Sequence, residues 1–129
     1  MKKFFNYIKD GNQGGCRKSS PESEEREQVD PWKRCIKCEN RITTELEKIS
    51  VQGSFLHTFL NPAGKIYDIG CFKKAVGYLE IGTASTEWSW FENCQWKIVI
   101  CNSCTEHLGW IYYESDKNGF FGLILEKLI

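Results

Sequence analysis

Net charge is the first thing this 129-residue chain lacks: 17 lysines and arginines are balanced by 17 aspartates and glutamates, with a pI near 6.7. Without a basic surplus there is no electrostatic footprint for nucleic acid or an anionic membrane, so neither is expected as a partner. Long apolar runs are missing too. Nothing approaches the roughly 18 consecutive apolar residues that cross a bilayer. The opening Met1-Lys2-Lys3-Phe4-Phe5 is broken by Asn6, Lys9 and Asp10, so neither a signal peptide nor a membrane anchor is expected. Histidine is scarce: only His57 and His107 could activate a nucleophile, which leaves little room for thiol chemistry.

What is present begins with seven cysteines. Four of them form two Cys-x-x-Cys pairs, Cys35-Ile36-Lys37-Cys38 and Cys101-Asn102-Ser103-Cys104. Each pair offers two thiolates at the spacing by which one tight turn grips a tetrahedral ion, and two such turns complete a closed, structural zinc site. The gap between the pairs is longer than in a zinc ribbon, so the metal would tie the start of the domain to its end. An odd cysteine count without an export signal points to metal ligands in a reducing compartment, and the cytoplasm is the expected location. A redox dithiol fits poorly, since that motif opens a helix in a βαβ unit that this chain lacks. Cys16, Cys71 and Cys94 have no assigned role.

Composition divides the chain. Residues 1–30 contain the run Ser19-Ser20-Pro21-Glu22-Ser23-Glu24-Glu25-Arg26-Glu27, too polar to offset its conformational entropy by burial, and read as a flexible polar arm. Residues 31–129 read as one mostly antiparallel β domain. Strands are expected over 53–60 and 65–69 around the turn Asn61-Pro62-Ala63-Gly64, then over 74–81, 88–91, 95–101, 108–113 and 120–128. Lys117-Asn118-Gly119 is the expected turn before the last strand. Arg41 to Ile49 is ambiguous between helix and strand.

The indoles gather in the second half. Trp88, Trp90, Trp96 and Trp110 surround the second cysteine pair, and Trp96, Ile98 and Ile100 keep the two-residue period of a strand with one buried face. Large aromatics dominate small cores, so any one of these rings is adequately explained as core; the cluster as a whole suggests an aromatic pocket on a metal-pinned sheet.

Ser85-Thr86-Glu87-Trp88-Ser89-Trp90-Phe91, then Trp96, Cys101-Asn102-Ser103-Cys104, His107-Leu108-Gly109-Trp110 and Phe121-Gly122-Leu123-Ile124 together resemble the cereblon thalidomide-binding (CULT) domain family, particularly its single-domain bacterial relatives. Asn61-Pro62-Ala63-Gly64 matches that family's N-P-x-G turn, and the resemblance runs from about Cys35 to the C-terminus. It implies a β-tent, two antiparallel sheets pinned by a four-cysteine zinc. It further implies a cage of Trp90, Trp96 and Trp110, with Tyr112 at the aromatic floor and Asn61 and Tyr67 at the rim. The implied ligand is a cyclic imide such as glutarimide, a uracil ring as in uridine, or a cyclised protein C-terminus. Its polar edge would meet the Trp88 carbonyl and the Trp90 N–H. The chain departs from the family pattern at Trp88, where many relatives carry histidine, and at Glu92-Asn93-Cys94-Gln95, which replaces a Pro-Gly-aromatic-Ala turn.

Two other readings compete with a non-enzymatic imide-binding module. Indoles also cage methylated ammonium groups, and Glu87 and Glu92 flank the cluster. A fold resembling the zinc-bearing B-class methionine sulfoxide reductases would be enzymatic, but it needs a cysteine on a late strand and none follows Cys104. The ubiquitin-ligase role of eukaryotic cereblon needs a further domain and is not expected of these residues.

Overall fold

Short runs rich in Ile, Val, Tyr, Trp and Phe, punctuated by Gly and Asn, favour extended backbone with one face buried. A computed structural model of the chain describes residues 30–114 and 117–129, and its fold is that of the unit Pro31–Ile129. Nearly all of the expected arm, with Cys16, lies outside the described residues. The strands are β1 (Trp32–Arg34), β2 (Arg41–Thr44), β3 (Leu56–Leu60), β4 (Ile66–Phe72), β5 (Tyr78–Ser85), β6 (Cys94–Cys101), β7 (His107–Glu114) and β8 (Lys117–Ile124). They form two antiparallel sheets: a β1-β2 ribbon and a six-stranded sheet in the order β3-β4-β8-β7-β6-β5.

Residues paired across antiparallel strands share a face, so the register sorts the side chains. Phe59↔Tyr67, Cys71↔Gly122, Gly122↔Trp110, Trp110↔Ile98, Tyr112↔Phe120 and Tyr112↔Trp96 put the aromatic residues on one face of the large sheet. Phe72↔Phe121, Gly109↔Leu123, Ile111↔Phe121 and Val99↔Gly109 build the other. Each face has its own core. Phe72, Val99, Cys101, Leu108, Ile111, Phe121 and Leu123 pack with Cys35 and Ile42 of the small-sheet region. Cys71, Phe91, Cys94, Tyr112 and Phe120 pack beneath Phe59, Trp90, Trp96 and Trp110.

The ribbon is tied to the C-terminus by a bridge of Cys35 to Leu128 and by reciprocal bonds between the Arg34 and Ile129 backbones, each 2.8 Å. Buried Thr43 donates its hydroxyl to the Lys74 carbonyl at 2.7 Å, satisfying a group that would otherwise be costly to bury.

The structure corrects several expected boundaries. Residues 88–91 are not a strand but a turn and bend, because Trp88 takes a left-handed φ of 62° and breaks the extended run. Lys117 to Gly119 belong to β8, with Lys117 already paired to Glu114, so the expected turn there is part of the strand. β8 stops at Ile124 and gives way to a 3-10 turn, Leu125–Lys127. β5 starts only at Tyr78. The ambiguous segment at Arg41 is both: strand through Thr44, then a 3-10 turn, Glu45–Glu47.

Candidate functional site

The two Cys-x-x-Cys segments fold identically. In each, the residue after the second cysteine returns its N–H to the carbonyl of the first, Glu39 to Cys35 at 2.8 Å and Thr105 to Cys101 at 2.9 Å. Both residues adopt left-handed backbone, φ 65° and 66°. The bridge at Cys35 and the β6–β7 register bring these knuckles face to face. All four sulfurs lie within 4.8 Å of one another, with Cys35–Cys104 at 3.6 Å and Cys38–Cys101 at 3.5 Å. Sulfurs around a tetrahedral ion with metal–sulfur bonds of about 2.3 Å stand about 3.8 Å apart, so the donor set fits one metal ion.

The surroundings favour thiolate at Cys101, whereas at Cys104 the N–H of Glu106 is outweighed by burial and the neighbouring Cys35, Cys38 and Cys101 sulfurs, which push the thiol up to about 12. Burial would raise the Cys101 thiol, but N–H donors at Ser103 and Cys104, with Cys38 and Asn40, outweigh it and bring it down to about 7. Asn40 Nδ2 lies 3.6 Å from Cys101 Sγ while also donating to the Gly77 carbonyl at 3.1 Å and Asn102 Oδ1 at 3.0 Å. Sequence reasoning missed Asn40, since nothing in its spacing marks a residue that orients a ligand from outside the ligand set. Glu106 clamps the outside, bonded to Lys127 and 3.5 Å from Lys37 of the first knuckle.

The aromatic cluster lies on the opposite face. Trp90 stacks on Phe59 at 4.7 Å and meets Trp110 edge-on at 4.8 Å; Tyr67 stands 5.8 Å from Trp90 and 5.3 Å from Trp110. Trp90, Trp110 and Tyr67 are therefore brought together. Trp96 shares their face without a ring contact to Trp90 or Trp110 among the described residues, its indole N–H donating to the Glu87 carbonyl at 2.7 Å. The Trp90 indole N–H donates to the Leu60 carbonyl at 3.2 Å. Asn61 caps the β3–β4 turn beside Leu60, accepting the Lys65 N–H on Oδ1 at 2.8 Å. Tyr112 is buried in the core between Phe91 and Phe120, at 4.8 and 5.2 Å, and supports the cluster from within. Trp88 is 67% exposed.

Two further residues belong here. Phe59 is a wall of the cluster, and its alternation with His57 along β3 was a readable signal. The Lys65 ammonium sits 5.3 Å over the Tyr67 ring, two residues further along the same side of the chain at the start of β4, a spacing that the two-residue period of a strand could have signalled. Among the described residues, the Trp88 carbonyl and the Trp90 N–H take no hydrogen bond, leaving an acceptor and a donor two residues apart beside the indoles.

The remaining polar groups are committed to structure. His57 Nε2 is 2.9 Å from the Val51 and Ser54 carbonyls, and its ring stacks on Phe59 at 5.6 Å. His107 packs edge-on against Trp110 at 4.8 Å, with Nε2 3.0 Å from the Gly109 carbonyl. Cys71 is fully buried, and burial pushes its thiol up to about 12. Among the described residues no helix is long and apolar enough to cross a membrane.

No family model matches the chain. Its sequence is 41% identical over 73 residues to the protein cereblon of Drosophila grimshawi, covering 50% of this chain and 11% of that protein. It is 32% identical over 102 residues to the protein cereblon of Gallus gallus, covering 74% of this chain and 23% of that protein. For the protein cereblon of Danio rerio the match is 30% over 101 residues, 75% of this chain and 23% of the relative. The matched segments thus span between 11% and 23% of the length of these relatives.

Proposed function

Because the chain carries a cereblon-like domain, we propose that it is a non-enzymatic, zinc-stabilised binding module whose indoles enclose a flat, neutral ring of the cyclic imide or uracil class. The ring is a free small molecule, such as a glutarimide or uridine, or a cyclic imide at a protein C-terminus. The observation that carries this reading is the acceptor–donor pair at Trp88 and Trp90, unpaired among the described residues, beside Trp90, Trp110 and Tyr67. A ring with a C=O, N–H, C=O edge loses water there and regains two hydrogen bonds, while its faces meet apolar walls with few rotatable bonds. In this reading Trp96 closes the cage as its third wall, Tyr112 backs it, and Asn61 and Tyr67 line the rim.

Zinc is the metal proposed for Cys35, Cys38, Cys101 and Cys104, since a closed set of four thiolates supplies a structural ion and leaves no open position for a reacting water. The absence of a role in chemistry rests on the same residues: both histidines are engaged in packing, and Cys71 is held as a thiol by burial. Free thiols throughout the described residues accord with the reducing interior of a cell, and the cytoplasm is the proposed location.

Calorimetry with glutarimide, its ring-opened acid and trimethyl-lysine tests the ligand class. The intact ring is expected to bind, and Trp96→Ala or Trp110→Ala to abolish binding. The ring-opened acid is expected to fall below detection. Stripping water from a carboxylate costs several kcal/mol, whereas exposed Lys65 returns only about 0–1 kcal/mol as a surface ion pair. Lys65 over the Tyr67 ring also weighs against a cation cage, because a cation already occupies that ring. Tight binding of trimethyl-lysine or of the acid would overturn the reading.

A further inference from the structure

The six-stranded sheet ends on β3 at one side and on β5 at the other, and an edge strand leaves the N–H and C=O of every second residue without a ladder partner. The β3 edge is covered from within. Ser54 Oγ accepts the Leu56 N–H at 3.2 Å and donates to the Leu56 carbonyl at 2.8 Å, and the Leu60 carbonyl takes the Trp90 indole N–H. At β5, Asn102 donates its N–H to the Gly77 carbonyl at 2.9 Å, and the antiparallel alternation that starts from this bond turns the backbone groups of Leu79 and Ile81 toward β6 and those of Tyr78 and Glu80 outward. Among the described residues, no turn, loop or side chain takes up these outward groups.

The side chains of β5 do not guard its edge. Leu79 and Ile81, paired with Ile100 and Ile98, are 50% and 42% exposed. Glu80 carries the single charge of the strand, and it points to the other face, where its carboxylate takes the Tyr113 hydroxyl at 2.7 Å and lies 3.4 Å from the Lys97 ammonium. With neither lysine nor proline on β5, the usual means of keeping two edges apart are missing. Gly82, at φ 82°, interrupts the pairing with β6 after Ile81, so the open stretch is the one over residues 78–81.

We propose that β5 is the interface of a two-fold symmetric dimer, in which a second copy of this chain pairs antiparallel over residues 78–81 with Glu80 at the centre. Self-complementarity decides the occupant. In this register Glu80 exchanges both backbone bonds with Glu80 of the second copy, while Leu79 stands opposite Ile81 of the second copy and the reverse, so each exposed apolar side chain meets another. The two Glu80 carboxylates each bring their own Lys97, and a formal net charge of zero leaves no general repulsion between copies. Paired residues of antiparallel strands share a face, so the aromatic faces of both copies lie on one side of a continuous sheet and the four-cysteine sites on the other. The interface does not depend on what the aromatic face binds.

The contact is small, so a weak dimer is expected, with a Kd on the order of 0.1 mM. Sedimentation equilibrium of the full chain at concentrations on either side of that value should show monomer passing into dimer. The Glu80 amide should be protected from hydrogen exchange in concentrated protein and exchange freely in dilute protein, a readout that needs no variant. Leu79→Lys/Ile81→Lys sets like charges against each other across the interface and is expected to abolish association. Leu79→Lys/Ile81→Glu sets lysine against glutamate only in the register centred on Glu80, and is expected to restore association at low salt and lose it at high salt. Both positions are exposed, so metal content and near-ultraviolet circular dichroism should match wild type. A chain still monomeric at about 1 mM, which would leave the edge to a strand of another protein, overturns the proposal. So does a dimer whose Glu80 amide exchanges freely, a dimer untouched by the double lysine variant, or a lysine–glutamate variant that associates no better than the double lysine one.

Discussion

The two faces of the six-stranded sheet are made by the same strands and held by different forces. On one, four sulfurs from the beginning and end of the domain converge, and the core of Phe72, Val99, Ile111, Phe121 and Leu123 closes around them. On the other, rings meet at 4.7 to 5.8 Å around Trp90 and Trp110, with Phe91 and Tyr112 packed beneath. Metal–thiolate bonds are few, directional and collective, and apparent values of about 10–16 kcal/mol for structural zinc rival the whole stability of a domain, roughly 5–15 kcal/mol. Aromatic pairs contribute about 0.5–1.5 kcal/mol each beyond their burial and fail one at a time. The expected consequence is a division of labour: a metal on the four-sulfur face would decide whether the sheet holds together, whereas the aromatic face, held by many small contacts, can vary in shape.

The largest expected effect breaks the metal face. Chelation, or Cys101→Ser, removes a ligand from the only donor set of this kind among the described residues, and is expected to unfold both faces together. Elemental analysis should give one zinc per folded wild-type chain, and near-ultraviolet circular dichroism should collapse with its loss. Retention of metal and tertiary signal by Cys101→Ser would dissolve the contrast.

A smaller change is expected from Gly122→Ala, which acts on the aromatic face alone. A Cβ there would stand 2.9 Å from Tyr112 Cε2 and 3.0 Å from Ile69 Cγ2, both on closely packed side chains. Overpacking of this kind costs about 1–3 kcal/mol, with about 4–8 °C of melting temperature for each kcal/mol in a domain of this size. Tryptophan emission and imide affinity should change while zinc content stays at one per chain, and a loss of zinc would show that the faces are coupled through the strand.

The smallest effect concerns His107, three residues after Cys104 and in ring contact with Trp110. Burial holds its pKa below 6.5, reinforced by Lys127 and Lys65 and opposed by the Gly109 carbonyl and Glu106. A depressed imidazole contributes stability that is complete above the unfolded value near 6.5 and is lost as pH falls through the folded one. Denaturant midpoints of wild type should therefore decline below about pH 6.5 more steeply than those of His107→Gln. Acid release of zinc is common to both proteins, so the difference isolates the histidine; equal slopes would remove it as a link between the faces.

Legibility in the sequence followed the range of the interactions. The Cys-x-x-Cys pairs, the turn at Asn61 and the alternation along β6 and β7 are local patterns, and each led to the right element. Residues 88–91 misled, because alternating tryptophans look like a strand when nothing local reveals that Trp88 is left-handed. Tyr112 follows Trp110 with the same period, and only the packing of Phe91 and Phe120 on its ring makes it core. Asn40 meets Cys101 across 61 residues of chain and gave no pattern at all.

By itself, then, the sequence determined that the domain is β and that four cysteines would offer a donor set for a metal, and it put the indoles beside the second pair along the chain only. Thiolate spacing and the two-residue period are properties of neighbouring residues and need no partner to be read. Only the tertiary structure decided that metal and aromatics take opposite faces of one sheet, which depends on register between strands distant in the chain. It also decided which tryptophans touch. Trp90 and Trp110 come from a loop and a strand, and they meet because β7 lies one strand from β6 while the loop before β6 folds back over that face.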